Sequence, residues 1–110
     1  MNEVNLTVEV HCQRPLWGII NPISKFTDSR YRIYIDNNLI TERSWIWDNN
    51  IFLCENMWIY GENNKEYTVK LEPVVCIPEQ AKFRINNFKI TNTNADINKI
   101  NDLQVIFTPR

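Results

Sequence analysis

Large aromatic side chains are the residues of this chain whose types and spacing best fit a binding chemistry. Four tryptophans and four tyrosines occur among 110 residues. Trp45 and Trp47 are two positions apart, and Trp58 and Tyr60 repeat that spacing. Residues two apart in a β-strand share a face, so each pair predicts an aromatic row. Such a row either thickens a core or forms a surface that binds a protein or stacks on sugars. The sequence leaves both interpretations open.

Residue types for covalent catalysis are present, but their spacing is unfavourable. His11 is the only histidine, and the adjacent Cys12 would point to the opposite face of a strand, so the two cannot easily form a nucleophilic pair. The three cysteines lie far apart, unlike the closely spaced ligands of zinc sites. Two glycines and no Gly-x-Ser-x-Gly motif exclude a phosphate-binding glycine loop and a hydrolase elbow. We therefore expect no catalytic residue, no cofactor and no metal.

Strands must position these side chains, because the chain alternates between apolar and polar residues. From Arg30 to Asp36, Tyr31, Ile33 and Ile35 fall on one side and polar residues mostly on the other. The same period of two returns near residues 5–10, 67–71 and 103–107, and it is typical of half-buried strands. The sequence predicts an all-β fold. We expect seven to nine short strands in a single antiparallel β-sandwich of jelly-roll type over residues 1–110, with a barrel as the alternative.

Local patterns predict where the strands turn or slip. Val4, Leu6, Val8 and Val10 should face the core, while the intervening Asn5, Thr7 and Glu9 should face water. Asparagine tolerates a left-handed backbone, so asparagine pairs favour tight turns. Where the alternation of apolar and polar residues shifts by one position, we expect a bulge, because one extra residue restores the register. We expect a hairpin turn at Asn37-Asn38, a kink or bulge near Glu55-Asn56, a bulge or turn at Asn86-Asn87, and a polar connection over Thr93–Asn101.

Charge and composition narrow the classes of partner. The chain has 12 basic and 13 acidic residues and a net charge of −1. No basic run stands out, which argues against binding duplex nucleic acid. No apolar stretch approaches the roughly 20 residues that span a bilayer, and the first residues do not resemble a signal peptide. Three cysteines without such a peptide favour free, mostly buried thiols in a reducing compartment. We expect no nucleic-acid and no membrane partner.

A long segment over Gln13–Ser29 is the first candidate for a partner contact. Two prolines and a glycine interrupt regular structure there, and long loops in small domains are usually functional or packed on a partner. Its apolar side chains would anchor the contact, and the tryptophans of the later strands would extend it. The predicted partner-binding residues are Trp17, Ile19, Phe26, Trp45, Trp47 and Trp58.

Two strand–turn–strand stretches carry a resemblance to a known class of proteins. Residues 31–43 read Tyr-Arg-Ile-Tyr-Ile-Asp-Asn-Asn-Leu-Ile-Thr-Glu-Arg, and residues 67–73 read Tyr-Thr-Val-Lys-Leu-Glu-Pro. This pattern resembles the small β-sandwich structural proteins of tailed phages, particularly those of marine cyanobacteria. The resemblance implies a virion component without catalysis, such as a capsid decoration protein or a tail-associated subunit.

The resemblance also sets the expected partners and location. It implies that the protein binds a major capsid protein or another virion subunit, as a homo-oligomer or on a lattice, and resides in the virion after synthesis in the host cytoplasm. The same rhythm is similar to carbohydrate-binding sandwich modules. The alternative is therefore a sugar-binding module, or a tail-associated subunit that binds host glycans.

Overall fold

The computed structural model describes residues 2–13, 29–45, 52–75 and 82–110. This part of the chain is all-β, as predicted, and its regular elements are eight strands without a helix. The number of strands lies within the predicted range of seven to nine. The strands are β1 (Asn2–Gln13), β2 (Ser29–Ile35), β3 (Asn38–Trp45), β4 (Phe52–Gly61), β5 (Tyr67–Val75), β6 (Lys82–Ile90), β7 (Ala95–Asn101) and β8 (Gln104–Pro109).

Two antiparallel sheets pack face to face. The small sheet has the order β4-β1-β6, and the large sheet has the order β3-β2-β5-β8-β7. Aromatic contacts join them: the rings of Tyr31 in β2 and Phe83 in β6 have centroids 5.3 Å apart, and those of Phe88 in β6 and Phe107 in β8 are 5.7 Å apart. The predicted antiparallel β-sandwich is confirmed. The strand order does not confirm a jelly roll, which stays a prediction.

The core follows from the alternation in the sequence. In β1 every second side chain from Val4 to Val10 is fully buried, and β2, β5 and β8 bury their predicted apolar faces in the same way. A fully buried aliphatic or aromatic side chain contributes about 1.5–3 kcal/mol. The core residues are Val4, Leu6, Val8, Val10, Cys12, Tyr31, Ile33, Ile35, Trp45, Met57, Tyr67, Val69, Leu71, Phe83, Ile85, Val105 and Phe107.

The predicted bulge in β6 is confirmed. Asn87 pairs with Glu9 of β1, whereas Ile85 pairs with the next residue, Val10, so Asn86 is the extra residue of the bulge. Without it, either Ile85 or Phe88 would point away from the core, because a one-residue slip reverses every side chain of a strand.

The hairpin between β2 and β3 turns one residue earlier than predicted. Asp36 and Asn37 both have positive φ, 49° and 70°, and Ile35 pairs with Asn38. A two-residue turn of this kind needs two left-handed residues, and aspartate tolerates that backbone as asparagine does. Thr68 of β5 donates its N–H to the Asp36 carboxylate at 2.9 Å, which fixes Asp36 in the turn and leaves Asn38 to begin β3.

Two further local predictions were wrong. β4 has no kink near Glu55-Asn56, because its pairing with β1 runs without a shift from Gly61 to Phe52; Glu55 occupies an inward position through an ion pair and requires no slip. Residues 95–101 form β7 rather than a polar connection. As an edge strand, β7 exposes most of both faces, so its sequence lacks the alternation that marks a half-buried strand.

Candidate binding surface

The outer face of β4 exposes large aromatic side chains. Phe52 is 49% exposed, Trp58 60% and Tyr60 69%. They share the face because they occupy alternate positions, while Met57 and Ile59, on the other side of the strand, turn toward the core. We call Phe52, Trp58 and Tyr60 the aromatic face. Its exposure makes it the strongest candidate for partner binding in the described part of the chain.

A polar cluster on β1 supports one end of the aromatic face. The ring of His11 stacks on Phe52, with centroids 5.2 Å apart. His11 Nε2 lies 2.7 Å from Glu9 Oε1, and Asn86 Nδ2 donates to the same oxygen at 3.0 Å. These hydrogen bonds, that of His11 first, hold the pKa of Glu9 below its usual value although partial burial opposes them. The ring of Phe52 therefore packs on a histidine whose position is fixed by hydrogen bonding to Glu9.

A network of amide side chains lies at the centre of the same face. Asn5 Nδ2 donates to Asn56 Oδ1 at 2.8 Å, and Asn56 Nδ2 approaches Thr7 Oγ1 at 3.5 Å. Thr91 Oγ1 donates to Asn5 Oδ1. Asn5 was expected to face water but is 94% buried, because residues that follow β6 bond to it. This network fixes the strand opposite Trp58, which is the register partner of Asn5.

An open cleft separates β3 from β4, where the edges of the two sheets meet. Its volume is about 400 Å³, and Ile40 and Trp58 lie on opposite walls. Ile40 is the extra residue of a bulge in β3, since Ile33 pairs with Thr41 and Tyr34 with Leu39. The bulge turns this exposed side chain toward the cleft, so the apolar surface of the aromatic face continues onto β3.

An ion pair between a buried carboxylate and a partly exposed guanidinium links the two sheets at the floor of this cleft. Arg43 Nη2 of β3 lies 2.7 Å from Glu55 Oε1 of β4, and Glu55 is only 6% exposed. Partial burial alone would lower the pKa of Arg43, but the hydrogen bond and charge of Glu55 raise it overall. The nearby Tyr31 hydroxyl is buried without a well-formed hydrogen bond to the described residues, and burial raises the pKa of Tyr31. This pair positions the two walls of the cleft.

The structure separates the predicted tryptophans. Trp58 is exposed, as a partner-binding residue must be. Trp45 is fully buried against Tyr31 and Phe83, so its assignment to a surface was wrong and the core interpretation holds for it. Phe52 and Ile40 were missed as surface residues, and Tyr60 was considered in an aromatic row with Trp58 but not included among the predicted partner-binding residues. The other predicted anchors lie outside the described residues: Trp17, Ile19, Phe26 and Trp47.

The two described cysteines lie on opposite faces of the small sheet. Cys12 is buried on the inner side of β1, away from the outward His11, as the strand argument predicted. Cys54 is exposed opposite Glu9, so the expectation of a buried thiol was wrong there. Cys76 lies outside the described residues. Within the described ranges, no group of three or more His, Cys, Asp or Glu side chains is arranged to hold a metal ion.

Two further findings bear on function. The described ranges contain no helix of the length and apolarity that a membrane crossing needs. Comparison with protein-family models, curated proteins and solved structures found no match. The chemistry of the surface itself must therefore support any functional proposal.

Proposed function

We propose that this protein is a non-enzymatic structural subunit that docks on another protein through the aromatic face. The resemblance to phage β-sandwich proteins makes a virion lattice the expected partner, with a capsid decoration role as the leading version and a tail-associated role as the other. The observation that supports the proposal is the exposure of Phe52, Trp58 and Tyr60 on one face of one strand.

The size of these side chains explains how they would act as anchors. Aromatic residues bury about 150–250 Å² each, and apolar burial is worth about 25 cal/mol per Å². Because each is already partly covered, completing the burial would contribute about 2–4 kcal/mol per residue before the costs of association. That magnitude is typical of interface hot spots, which are enriched in Trp and Tyr.

A rigid background would lower the cost of docking. His11 and Glu9 hold Phe52, and the Asn5–Asn56 bond fixes the neighbouring strand. Side chains that are held before binding lose less conformational entropy when a partner covers them. On a lattice, many identical contacts of modest strength would then add through avidity.

The direct test is binding to particles purified from the source that encodes this chain. Mass spectrometry should find the chain in these particles at a fixed copy number. Recombinant protein should co-sediment with particles stripped of it, and W58A/Y60A should weaken binding at least about 30-fold, the equivalent of about 2 kcal/mol.

A matched pair of substitutions on the opposite edge serves as the control. Ile97 and Ile100 of β7 are also exposed, 44% and 47%, so I97A/I100A removes exposed apolar surface from a strand at the far edge of the large sheet. This variant should bind like the wild type. Absence of the chain from particles, or equal losses in both variants, would contradict the proposal.

Saccharide binding is the second candidate, and the neighbours of Trp58 favour it. An exposed indole beside amide, carboxylate and guanidinium groups is a typical arrangement for stacking on a sugar ring while bonding its hydroxyls. Trp58, Asn56, Glu55 and Arg43 all line the cleft between β3 and β4. Titration with soluble oligosaccharides should then change tryptophan fluorescence in the wild type and not in W58A. An unchanged spectrum across neutral and acidic oligosaccharides would exclude this candidate.

A further inference from the structure

The edge strands of the two sheets differ in how they discourage pairing with another chain. Charged side chains on an edge strand oppose the addition of a further strand. β3, β6 and β7 each carry such charges at exposed positions. The charged residues are Glu42 and Arg43 in β3, Arg84 and Lys89 in β6, and Asp96 and Lys99 in β7.

β4 lacks this protection. It is ten residues long and contains no lysine, arginine or proline. Its one charge, Glu55, points inward and is paired with Arg43. Among the described residues β4 pairs on one side only, with β1, and the open cleft lies along residues 54–58 of its other side.

We propose that β4 pairs antiparallel with β4 of a second copy of this chain, with the two-fold axis at Asn56. The two small sheets would then form one continuous six-stranded sheet. This assembly goes beyond the proposed function and does not depend on it, since its hydrogen bonds form along the backbone edge of β4 and not on the aromatic face.

The two-fold symmetry restricts the register. An axis perpendicular to a sheet keeps each face on the same side, and directly paired residues share a face. One residue of β4 must therefore pair directly with the same residue of the second copy, and the axis passes midway between the two. Three residues near the middle of the strand qualify: Glu55, Asn56 and Met57.

The side chains select Asn56 among these three. An axis at Glu55 places two carboxylates opposite each other, which costs free energy in a partly buried setting. An axis at Met57 leaves Phe52 without a partner in β4. An axis at Asn56 places Phe52 opposite Tyr60 and Cys54 opposite Trp58, twice each by symmetry, and sets the two Asn56 amides side by side. Aromatic cross-strand pairs stabilise an antiparallel pairing of strands.

Pairing of the two β4 strands would join the aromatic faces of both copies into one longer row. Phe52, Trp58 and Tyr60 of both copies would lie on one face of the six-stranded sheet. A self-complementary edge of this kind gives an isologous contact, in which the same residues serve both subunits and the assembly closes as a dimer.

Disulfide trapping tests the register. Directly paired Cα atoms of antiparallel strands are about 4.5–5.5 Å apart, within the reach of a disulfide. In a C54S/C76S background, N56C should form a covalent dimer under mild oxidation, at least about tenfold faster than N98C on the other edge strand, β7. Equal rates for N56C and N98C would overturn the pairing.

Analytical ultracentrifugation tests the dimer without cross-linking. The wild type should be a dimer, and C54K, which adds a charge at an exposed position of β4, should raise the dissociation constant at least about tenfold. N98K should leave the dimer intact, and circular dichroism should show all variants folded. A wild-type monomer at the highest soluble concentration would overturn the inference. A monomer that still binds particles would contradict the dimer but leave the proposed function standing. A dimer that does not bind particles would contradict the proposed function but not the dimer.

Discussion

Among single residues, the two described tryptophans differ in burial although the sequence around them has the same spacing. Trp45 and Trp58 each belong to an aromatic pair of the same spacing, yet one is fully buried and the other is 60% exposed. Trp45 is buried because Tyr31 and Phe83, distant in sequence, close over it. A period of two predicts which residues share a face, but only the long-range pairing of strands decides which face is covered.

The Arg43–Glu55 ion pair gives a prediction about stability. R43A would leave the carboxylate of Glu55 buried without its partner, which is costly. We expect a loss of about 2 kcal/mol, below the 3–5 kcal/mol of a fully buried pair because Arg43 is partly exposed. Urea denaturation measures the loss. R43K should retain part of the stability. R43A should lower the free energy of unfolding far less in an E55L background than in the wild type. An equal loss in the wild type and in E55L would contradict an energetic coupling between Arg43 and Glu55.

Glu9 gives a prediction about pH. Its pKa is lowered from 4.5 in the folded protein, first by the hydrogen bond to His11 and then by that to Asn86. A lowered pKa means that the ionised form stabilises the fold; this contribution is complete above about pH 4.5 and is lost as the pH falls through the folded pKa. Wild type should therefore exceed E9Q in stability at pH 7, and the gap should close toward pH 3.

Denaturation midpoints at several pH values measure this gap. Glu66 is exposed between β4 and β5, so E66Q is the control and should track the wild type throughout. A gap between wild type and E9Q that is constant from pH 7 to about pH 3 would show that the carboxylate charge is not the source of stability.

At the scale of elements, strands with one wet and one dry face were predictable and edge features were not. β1, β2, β5 and β8 follow the alternation because the core lies on one side of each. The bulge at Asn86 was predictable for the same reason, since it restores that alternation. β7 was missed because both of its faces are mostly exposed, and the predicted kink in β4 was wrong because an inward ion pair accommodates Glu55.

The hairpin between β2 and β3 gives a prediction at this scale. N37G should keep or raise stability, by up to about 1 kcal/mol, because glycine adopts a positive φ without steric cost. N37V should lower stability by about 1–2 kcal/mol, since a β-branched residue is strained there. N38V is the matched control and should be tolerated, because Asn38 is already in β3. Greater damage from N38V than from N37V would place the turn where the sequence alone predicted it.

At the scale of the whole molecule, a three-stranded sheet lies against a five-stranded one. The sequence predicted the sandwich, since alternating strands need a second layer to cover their apolar faces. It did not predict the strand order β4-β1-β6, because strands that neighbour each other there are far apart in the chain. That order makes β4 an edge strand with an exposed aromatic face, and the surface assigned to binding is therefore a property of the topology.

The proposed docking places Trp58 under a partner when the protein is assembled. Hydroxyl-radical footprinting with mass spectrometry compares its oxidation in the free protein and in purified particles. Tyr34, a half-buried residue of the large sheet, is the internal reference. We expect that assembly strongly protects Trp58 and Tyr60 while the oxidation of Tyr34 changes little. Equal oxidation of Trp58 in the free and assembled protein would contradict the proposed docking.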